Sequence, residues 1–575
     1  LWDYRPLLQT YGQLQSLRPY YVFRGVDLDR YPLAGGEQQV MISARELNTD
    51  GLSAQARTWQ NEHLVFTHGY GVVASPVNAI ENAGQPHFIV RDLPPVSEDP
   101  VLSVTRPQIY YGEAEDNYVV VRTRAQEFDY PAGETDVTTT YEGTGGIRIG
   151  GFANRLQMAS YFGDFTLLIS DLINEDSRVL FHRDIHDAVV RVAPFLRYDA
   201  DPYIVIADGK LYWIQDAYTT TDRYPNSTPF EMNEGPANYI RNSVKVVMDA
   251  YNGSMDFYVV DNKDPLIATY RKIFPTLFKD GATMPPVLQA HVRYPEGLFN
   301  IQAQTYDIFH MTDPLVFYNR GDAWRVPFGN RTESAAPLEA YYTMMRLPGE
   351  TKNEFTLMVP FTPASKQNMI AWMAARGDAP DYGRVDVIRF PSNTTVFGPQ
   401  QIDATINQDP TISSQLTLWG QSGSQVLRGN LLVLPMANSV LYVQPLFLQA
   451  TGGGSLPELK RVIAAAGGQV GMGEDLNSAL DAMFGARAQV PPPVNGTPTP
   501  GTPAVGTPGL PGTVGVPGTP GGPTPVLNCV GDTRALSADA LDHYQRAQDA
   551  LKVSDWATYG REQALMEADL RCLNR

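Results

Sequence analysis

Cysteine is nearly missing from this chain: 575 residues contain only Cys529 and Cys572. Two thiols without nearby histidines cannot fill the four positions of a zinc site. They flank one helical hairpin, and a bond between them would close the segment 529–572, adding ~4 kcal/mol in the chain-entropy model. Such a disulfide points to an oxidising compartment. Basic runs are also missing: 44 Lys and Arg stand against 62 Asp and Glu, a net charge of -18. That balance excludes a nucleic-acid partner, which needs a basic footprint. Long apolar runs are missing as well. The stretch from Leu431 to Leu448 carries Pro435, Asn438 and Pro445, and a spanning helix needs ~20 apolar residues. The chain begins at Leu1 with no basic n-region followed by an apolar h-region, which reads as a fragment or a processed product.

Catalytic signatures are scarce. Gly420-Gln-Ser-Gly-Ser424 ends in Ser where a nucleophile elbow needs Gly. Gly143-Thr-Gly-Gly146 is followed by Arg148 where the dinucleotide fingerprint needs Gly. The phosphate-loop ending, HExxH and CxxC do not occur. Of eight histidines, His63/His68 and His182/His186 form local pairs. The second pair has the spacing that puts two imidazoles on one helix face, but without a third ligand it reads as a surface or helix-start pair.

What is present is an ordinary folding composition, 43% hydrophobic and 10% aromatic. One boundary is sharp. Pro491 to Pro525 holds 12 Pro, 9 Gly and 7 Thr and no charge. Such a segment is a semi-flexible tether of ~110 Å if fully extended. The organisation read from the chain is 1–270 and 271–487 as two parts of a large body, 488–526 as linker, and 527–575 as a helical hairpin. In that hairpin Ser537 and Ser554 are placed as caps. Leu541, Tyr544 and Leu551, then Trp556, Tyr559 and Leu570, follow helical spacing, so it looks like a single tetratricopeptide-type pair.

The fold class expected for the body is α+β. Asp208-Gly209 and Asn252-Gly253 predict β-hairpins, because a type I′ turn needs positive φ at both central residues. Further strands are expected at 118–122, 355–359, 385–390, 427–434 and 440–443. Helices are expected at 53–65, 184–196, 457–466 and 474–484. Strands and helices do not alternate regularly, which argues against a doubly wound sheet.

Closely spaced aspartates, Asp27/Asp29, Asp199/Asp201 and Asp261/Asp264, put hard oxygens in expected loops. Asp199 and Asp201 are candidate calcium ligands, since calcium takes six to eight oxygens; the competing reading is turn chemistry before Pro202 and Pro265. Tyr110-Tyr111, Tyr341-Tyr342, Trp213 and Trp372 are candidates for a carbohydrate groove or for core.

Val26-Asp-Leu-Asp-Arg-Tyr31, Thr58-Trp-Gln-Asn-Glu-His-Leu64, Asp199-Ala-Asp-Pro-Tyr203, His291-Val-Arg-Tyr-Pro-Glu296 and Asn368-Met-Ile-Ala-Trp372 together resemble uncharacterised protein family UPF0182, from residue 1 to about 487. The resemblance implies a bacterial integral membrane protein with transmembrane helices upstream of a large extracytoplasmic part. It implies no catalytic residues, because the family's activity is not established. It strengthens the oxidising location and hence the Cys529–Cys572 pairing. Two classes follow: an extracytoplasmic binding or scaffold domain whose partners are its own transmembrane region, an envelope protein or a second copy; or an envelope hydrolase acting on glycan or peptide through Asp/Glu pairs.

Overall fold

The computed structural model describes residues 2–485, except 82–83, 116, 134, 233–234, 330–336, 392, 422, 437–438 and 453, together with 540–546, 558, 561, 562 and 565. The chain divides into two compact units, Leu1–Gln489 and Val490–Arg575. The first unit is α+β, four principal antiparallel-rich sheets with helices between them.

Helix α1 (Tyr4–Leu14) starts at Asp3, whose carboxylate accepts the Arg5 N–H, the usual way an N-cap satisfies an orphan donor. The first sheet runs β1 (Asp27–Leu33), β2 (Gly36–Ala44), β3 (Val72–Pro76), then the short strands Val90–Arg91 and Val96–Ser97. The second sheet holds β4 (Tyr203–Ala207), β5 (Lys210–Thr221), β6 (Tyr239–Asp249), β7 (Met255–Val259) and β8 (Phe278–Asp280), with Arg197–Tyr198 at its edge. Its first hairpin turns at Asp208 and Gly209, with φ of 50° and 72°, as the Asp-Gly pair requires. The second turn is wider, from Asp249 to Met255, and Asp249 stabilises it by accepting from the Tyr251 and Asn252 amides.

Two helices brace this sheet. Helix α2 (Ile185–Val192) is capped by Asp184. Helix α3 (Pro265–Ile273) is capped by the fully buried Asp264. That carboxylate also accepts from Thr219 at 2.5 Å, Ser243 at 2.7 Å and Tyr239 at 2.7 Å. Asp264→Ala strands three hydroxyls and two amides, so urea unfolding should show a loss of ~3 kcal/mol; a change below about 1 kcal/mol would show that these donors find other acceptors.

Helix α4 (Glu296–Phe309) leads to the third sheet, β9 (Tyr341–Met345), β10 (Glu354–Pro363), β11 (Ala371–Arg376) and β12 (Val385–Arg389). The fourth sheet is β13 (Ser424–Arg428), β14 (Leu432–Met436), β15 (Ser439–Ala450), β16 (Glu458–Ala466) and β17 (Gln469–Gly473), covered by helix α5 (Leu476–Phe484).

Apolar clusters tie these sheets together. Leu7 and Tyr11 of α1 share a core with Phe447 of β15 and Ala464 of β16. Tyr218 of β5 shares another with Phe299 of α4 and Phe355 of β10.

Two expected helices differ. Residues 458–466 form strand β16, because Val462, Ile463, Ala464 and Ala465 are buried in a strand paired on both sides, where packing overrides alanine's helix preference. The segment 53–65 is helical only over residues 59–65, with π-type bonding over Asn61–Val65. No helix among the described residues is long and apolar enough to cross a membrane.

In the second unit, residues 540–546 and positions 558, 561, 562 and 565 are helical. There His543 Nδ1 lies 2.7 Å from Glu562 Oε2. Cys529, Cys572 and the linker lie outside the described residues.

Candidate functional site

Strand β1 carries charge where a core strand would carry aliphatics: Asp27, Asp29 and Arg30 are all buried. Each side chain completes a backbone or an ion pair from a distant element. Asp27 Oδ2 accepts the Ile204 amide of β4 at 3.0 Å, and the Tyr31 hydroxyl accepts the Ile206 amide at 3.0 Å. These side chains replace the strand that β4 lacks on that edge. Asp29 Oδ2 meets His291 Nδ1 at 2.7 Å. Burial opposes ionisation of Asp29, but His291 and Arg30 outweigh it and hold the carboxyl below its ordinary value.

The segment 291–297 answers β1. Arg293 is buried; its Nη2 pairs with Asp201 Oδ2 at 2.6 Å, its Nη1 donates to the Leu28 carbonyl at 3.3 Å, and its guanidinium stacks 3.9 Å from the Tyr203 ring centre. The Arg293 carbonyl accepts from Lys245 Nζ at 2.8 Å, and Lys245 is also paired with buried Asp216. Asp199 accepts from the Tyr218 hydroxyl and, at 3.1 Å, from the Gly297 amide in the first turn of α4. A Cβ at Gly297 would lie 2.6 Å from Asp199 Oδ2, so only glycine permits this approach of carboxylate to helix start.

Burial raises the Asp27 carboxyl well above its ordinary range, Asp201 adds to that push, and Arg293 opposes it. Burial likewise lifts Glu296 to about 7 against the pull of Arg293, with Asp201 and Asp199 adding to the rise. Nearby, Glu46 Oε2 accepts the Glu113 and Ala114 amides at 2.6 and 2.9 Å. Burial and then Glu115 push Glu46 to about 8; burial and then Glu46 push Glu113 to about 8.

This polar seam reaches a cavity of 940 Å³ between β7, β8 and the loops 350–354 and 377–382. Arg30 forms part of its wall, although only 4% of its side chain is exposed. Arg30 holds Asp378 Oδ1 at 2.8 Å and donates to the Val292 carbonyl at 3.0 Å, while its Nη1 makes no hydrogen bond. The other charged lining groups are Glu37, Asp280, Glu350, Lys352, Glu354 and Asp381. Arg376, just behind, pairs with Glu350 at 2.8 Å and Glu354 at 3.2 Å. Burial, with Asp378 adding to it, raises the Glu37 carboxyl. Six carboxylates against two cations make the lining acidic, and a cleft of one sign concentrates ligands of the other. Its volume suits a small organic molecule or a partner's side chain.

Asp199 and Asp201 are both in the seam, but Arg293 already supplies positive charge to Asp201, and Asp199 is held by Tyr218 and Gly297. Among the described residues no three His, Cys, Asp or Glu are grouped as metal ligands. Asp264 is the α3 cap, and Asp261 pairs with Arg241 at 2.8 Å. His182 lies before α2 and bonds Asp187 and Tyr161; His63 stacks on Tyr118 and His68 faces Asp129. Tyr110, Tyr111, Tyr341, Tyr342, Trp213 and Trp372 are all buried, so they build core rather than a groove.

Arg30, Arg293, Lys245 and Asp216 were not singled out by sequence reasoning. The available signal was charge inside a strand pattern, Val26-Asp-Leu-Asp-Arg-Tyr31 and Asn242-Ser-Val-Lys245.

The same two segments, 26–31 and 291–296, carry the sequence resemblance, and the comparison with known families decides it. A model described as "Uncharacterised protein family (UPF0182)" matches residues 1–419. The chain belongs to UPF0182. A UPF0182 protein of Pelotomaculum thermopropionicum is 49% identical over 562 residues, 98% of this chain and 58% of the relative. One from Desulforamulus reducens is 46% identical over 563 residues, with the same coverage of 98% and 58%. The UPF0182 protein bll7333 of Bradyrhizobium diazoefficiens is 47% identical over 576 residues, 100% of this chain and 59% of the relative. This UPF0182 chain thus spans under two thirds of the length of these relatives. No solved structure matches it.

Proposed function

We propose that this chain is an extracytoplasmic binding domain of a longer, membrane-anchored envelope protein, and that it takes a cationic organic group into the acidic cavity beside Arg30. The observation that carries the reading is the cavity itself: 940 Å³, walled by Glu37 and Asp280 beyond the carboxylates Asp378, Glu350, Glu354 and Asp381 that Arg30 and Arg376 hold. The greater length of the relatives supports a longer protein. Partners for the domain are the protein's own transmembrane region, an envelope protein or a second copy. The acidic overall charge suits a soluble exposed surface.

The hydrolase reading draws less from the geometry. Its best carboxylates by acidity are Glu46, Glu113 and Glu296, and none of them lines this cavity. An acid–base pair must converge on a cleft.

Titration calorimetry with spermidine is the test. Saturable binding is expected at low salt, weaker at high salt, and at least ~10-fold weaker in the Glu37→Gln/Asp280→Asn variant. Absence of saturation, together with turnover of an envelope glycan or peptide by the purified chain, would replace binding with hydrolysis. Protease accessibility of the domain in intact cells tests the location separately.

A further inference from the structure

A second recess runs along α4, away from the acidic cavity. Leu298, Ile301, Gln302, Thr305, Tyr306 and Phe309 all line it, and their spacing places them on one helical face. That face is ~16 Å long, and the groove above it encloses 710 Å³. Its opposite wall is the connection between β5 and β6, with Met373, Val385 and Val387 from β11 and β12 as the floor.

The opposite wall holds an aromatic in place at the surface. Tyr224 is 54% exposed and stacks on Tyr239, with ring centres 5.4 Å apart and planes at 20°. Asn238 clamps the Tyr224 backbone from both ends of its amide: Oδ1 accepts the Tyr224 N–H at 2.9 Å and Nδ2 donates to the Tyr224 carbonyl at 2.8 Å. Ser227 donates to the Asn238 carbonyl at 2.7 Å, and Phe230 and Ala237 exchange backbone bonds at 2.8 and 3.0 Å. Ordering an exposed loop costs conformational entropy, and a ring fixed in advance lowers the cost of stacking a ligand on it.

The chemistry of the lining is neutral. Among the described residues no carboxylate lines the groove, and the one cation among them, Arg241, is paired with Asp261 at 2.8 Å. Gln302 accepts from the Tyr294 hydroxyl through Oε1 at 2.7 Å, which leaves its amide nitrogen as a donor. Flat aromatic faces beside amides and hydroxyls fit a ligand with apolar C–H faces and a rim of hydroxyls. We propose that this groove binds a neutral oligosaccharide, with one sugar ring stacked on Tyr224 and its hydroxyls met by Gln302 and Thr305. The groove rests on observations separate from the acidic cavity, so either site can fail alone.

The test is calorimetric titration of the whole chain with pentamers of β-glucan, α-glucan, chitin and galactan. At least one should bind saturably, and Tyr224→Ala should weaken it roughly five- to tenfold with unchanged thermal stability, since the ring is exposed. Phe309→Ala should weaken the same ligand, and the Glu37→Gln/Asp280→Asn variant should not. The proposal is overturned if none of the pentamers binds up to about 10 mM. It is equally overturned if Tyr224→Ala leaves the affinity unaltered, or if only apolar or proline-rich peptides bind at Tyr224.

Discussion

Arg293→Ala is expected to lower the stability of the body by ~2–4 kcal/mol: the guanidinium is buried and faces the buried Asp27, while its ion-pair partner Asp201 is 57% exposed and can rehydrate. Arg293 touches β1, β4 and the 199–201 loop together, through the Leu28 carbonyl, the Tyr203 ring and Asp201. Without it, the buried Asp27 loses the cation that opposes its desolvation. Alanine also leaves a void beside Tyr203 and Tyr342, whose rings the guanidinium faces at 3.9 and 5.2 Å. Arg293→Lys keeps the charge but not the planar fork, so it should fall between alanine and the wild type. Adding Asp27→Asn to Arg293→Ala should recover part of the loss, a coupling of ~1–3 kcal/mol. Urea melts at fixed pH give these values from shifts in midpoint at constant slope. A loss below about 1 kcal/mol for Arg293→Ala would show that the seam is not structural.

Raising the pH from 5 to 9 is expected to destabilise the native state by ~3 kcal/mol or more, which follows from the direction of several carboxyl shifts. Glu46 and Glu113 titrate near 8 and Glu296 and Asp307 near 7 in the folded chain. The unfolded chain gives up those protons near pH 4. Between these limits the native state binds more protons than the unfolded one, so stability falls as pH rises. This contribution is complete below pH ~4 and is lost as the pH passes through 7 and 8. The opposite set, Asp29, Asp164 and Asp264, lies below the ordinary range. Its contribution is present above pH ~4 and is lost on acidification, so the stability optimum should sit near pH 5. Most of the alkaline loss should come from Glu46, which is fully buried with its Oε1 unpaired; Glu113 is partly exposed and water screens it. Glu46→Gln keeps an acceptor for the Glu113 and Ala114 amides and does not titrate, so it should flatten the profile. Thermal melts at pH 5, 7 and 9 check this, and a midpoint that rises towards pH 9 would contradict it.

The parts of the fold governed by local chemistry were legible in the sequence. Asp208-Gly209 turns with both residues at positive φ, and Asp184 and Asp475 cap helices inside the expected 184–196 and 474–484, whereas Asp264 before Pro265 reads locally as a turn and in the fold caps a helix. Residues 458–466 were not legible, since an alanine-ended run becomes a strand only when β15 and β17 flank it. The site divides in the same way. Asp199 and Asp201 stand out locally, but the groups that define them, Arg293 and Gly297, lie 92 and 98 residues further on. Arg30 and Asp378 are separated by 348 residues, and no spacing rule connects such a pair. The aromatics drew attention by type. Burial assigned Trp213 and Trp372 to the core and left Tyr224, held by Asn238 in a long connection, at the surface.

A cryo-electron microscopy map of the intact protein, purified from its native membranes, tests the binding reading most directly. It should show ligand or partner density in the cavity bounded by Arg30, Glu37, Asp280 and Tyr382, with a positively charged group against the carboxylates. A solvent-filled cavity in that map, with density on Glu46, Glu113 or Glu296 instead, would contradict it.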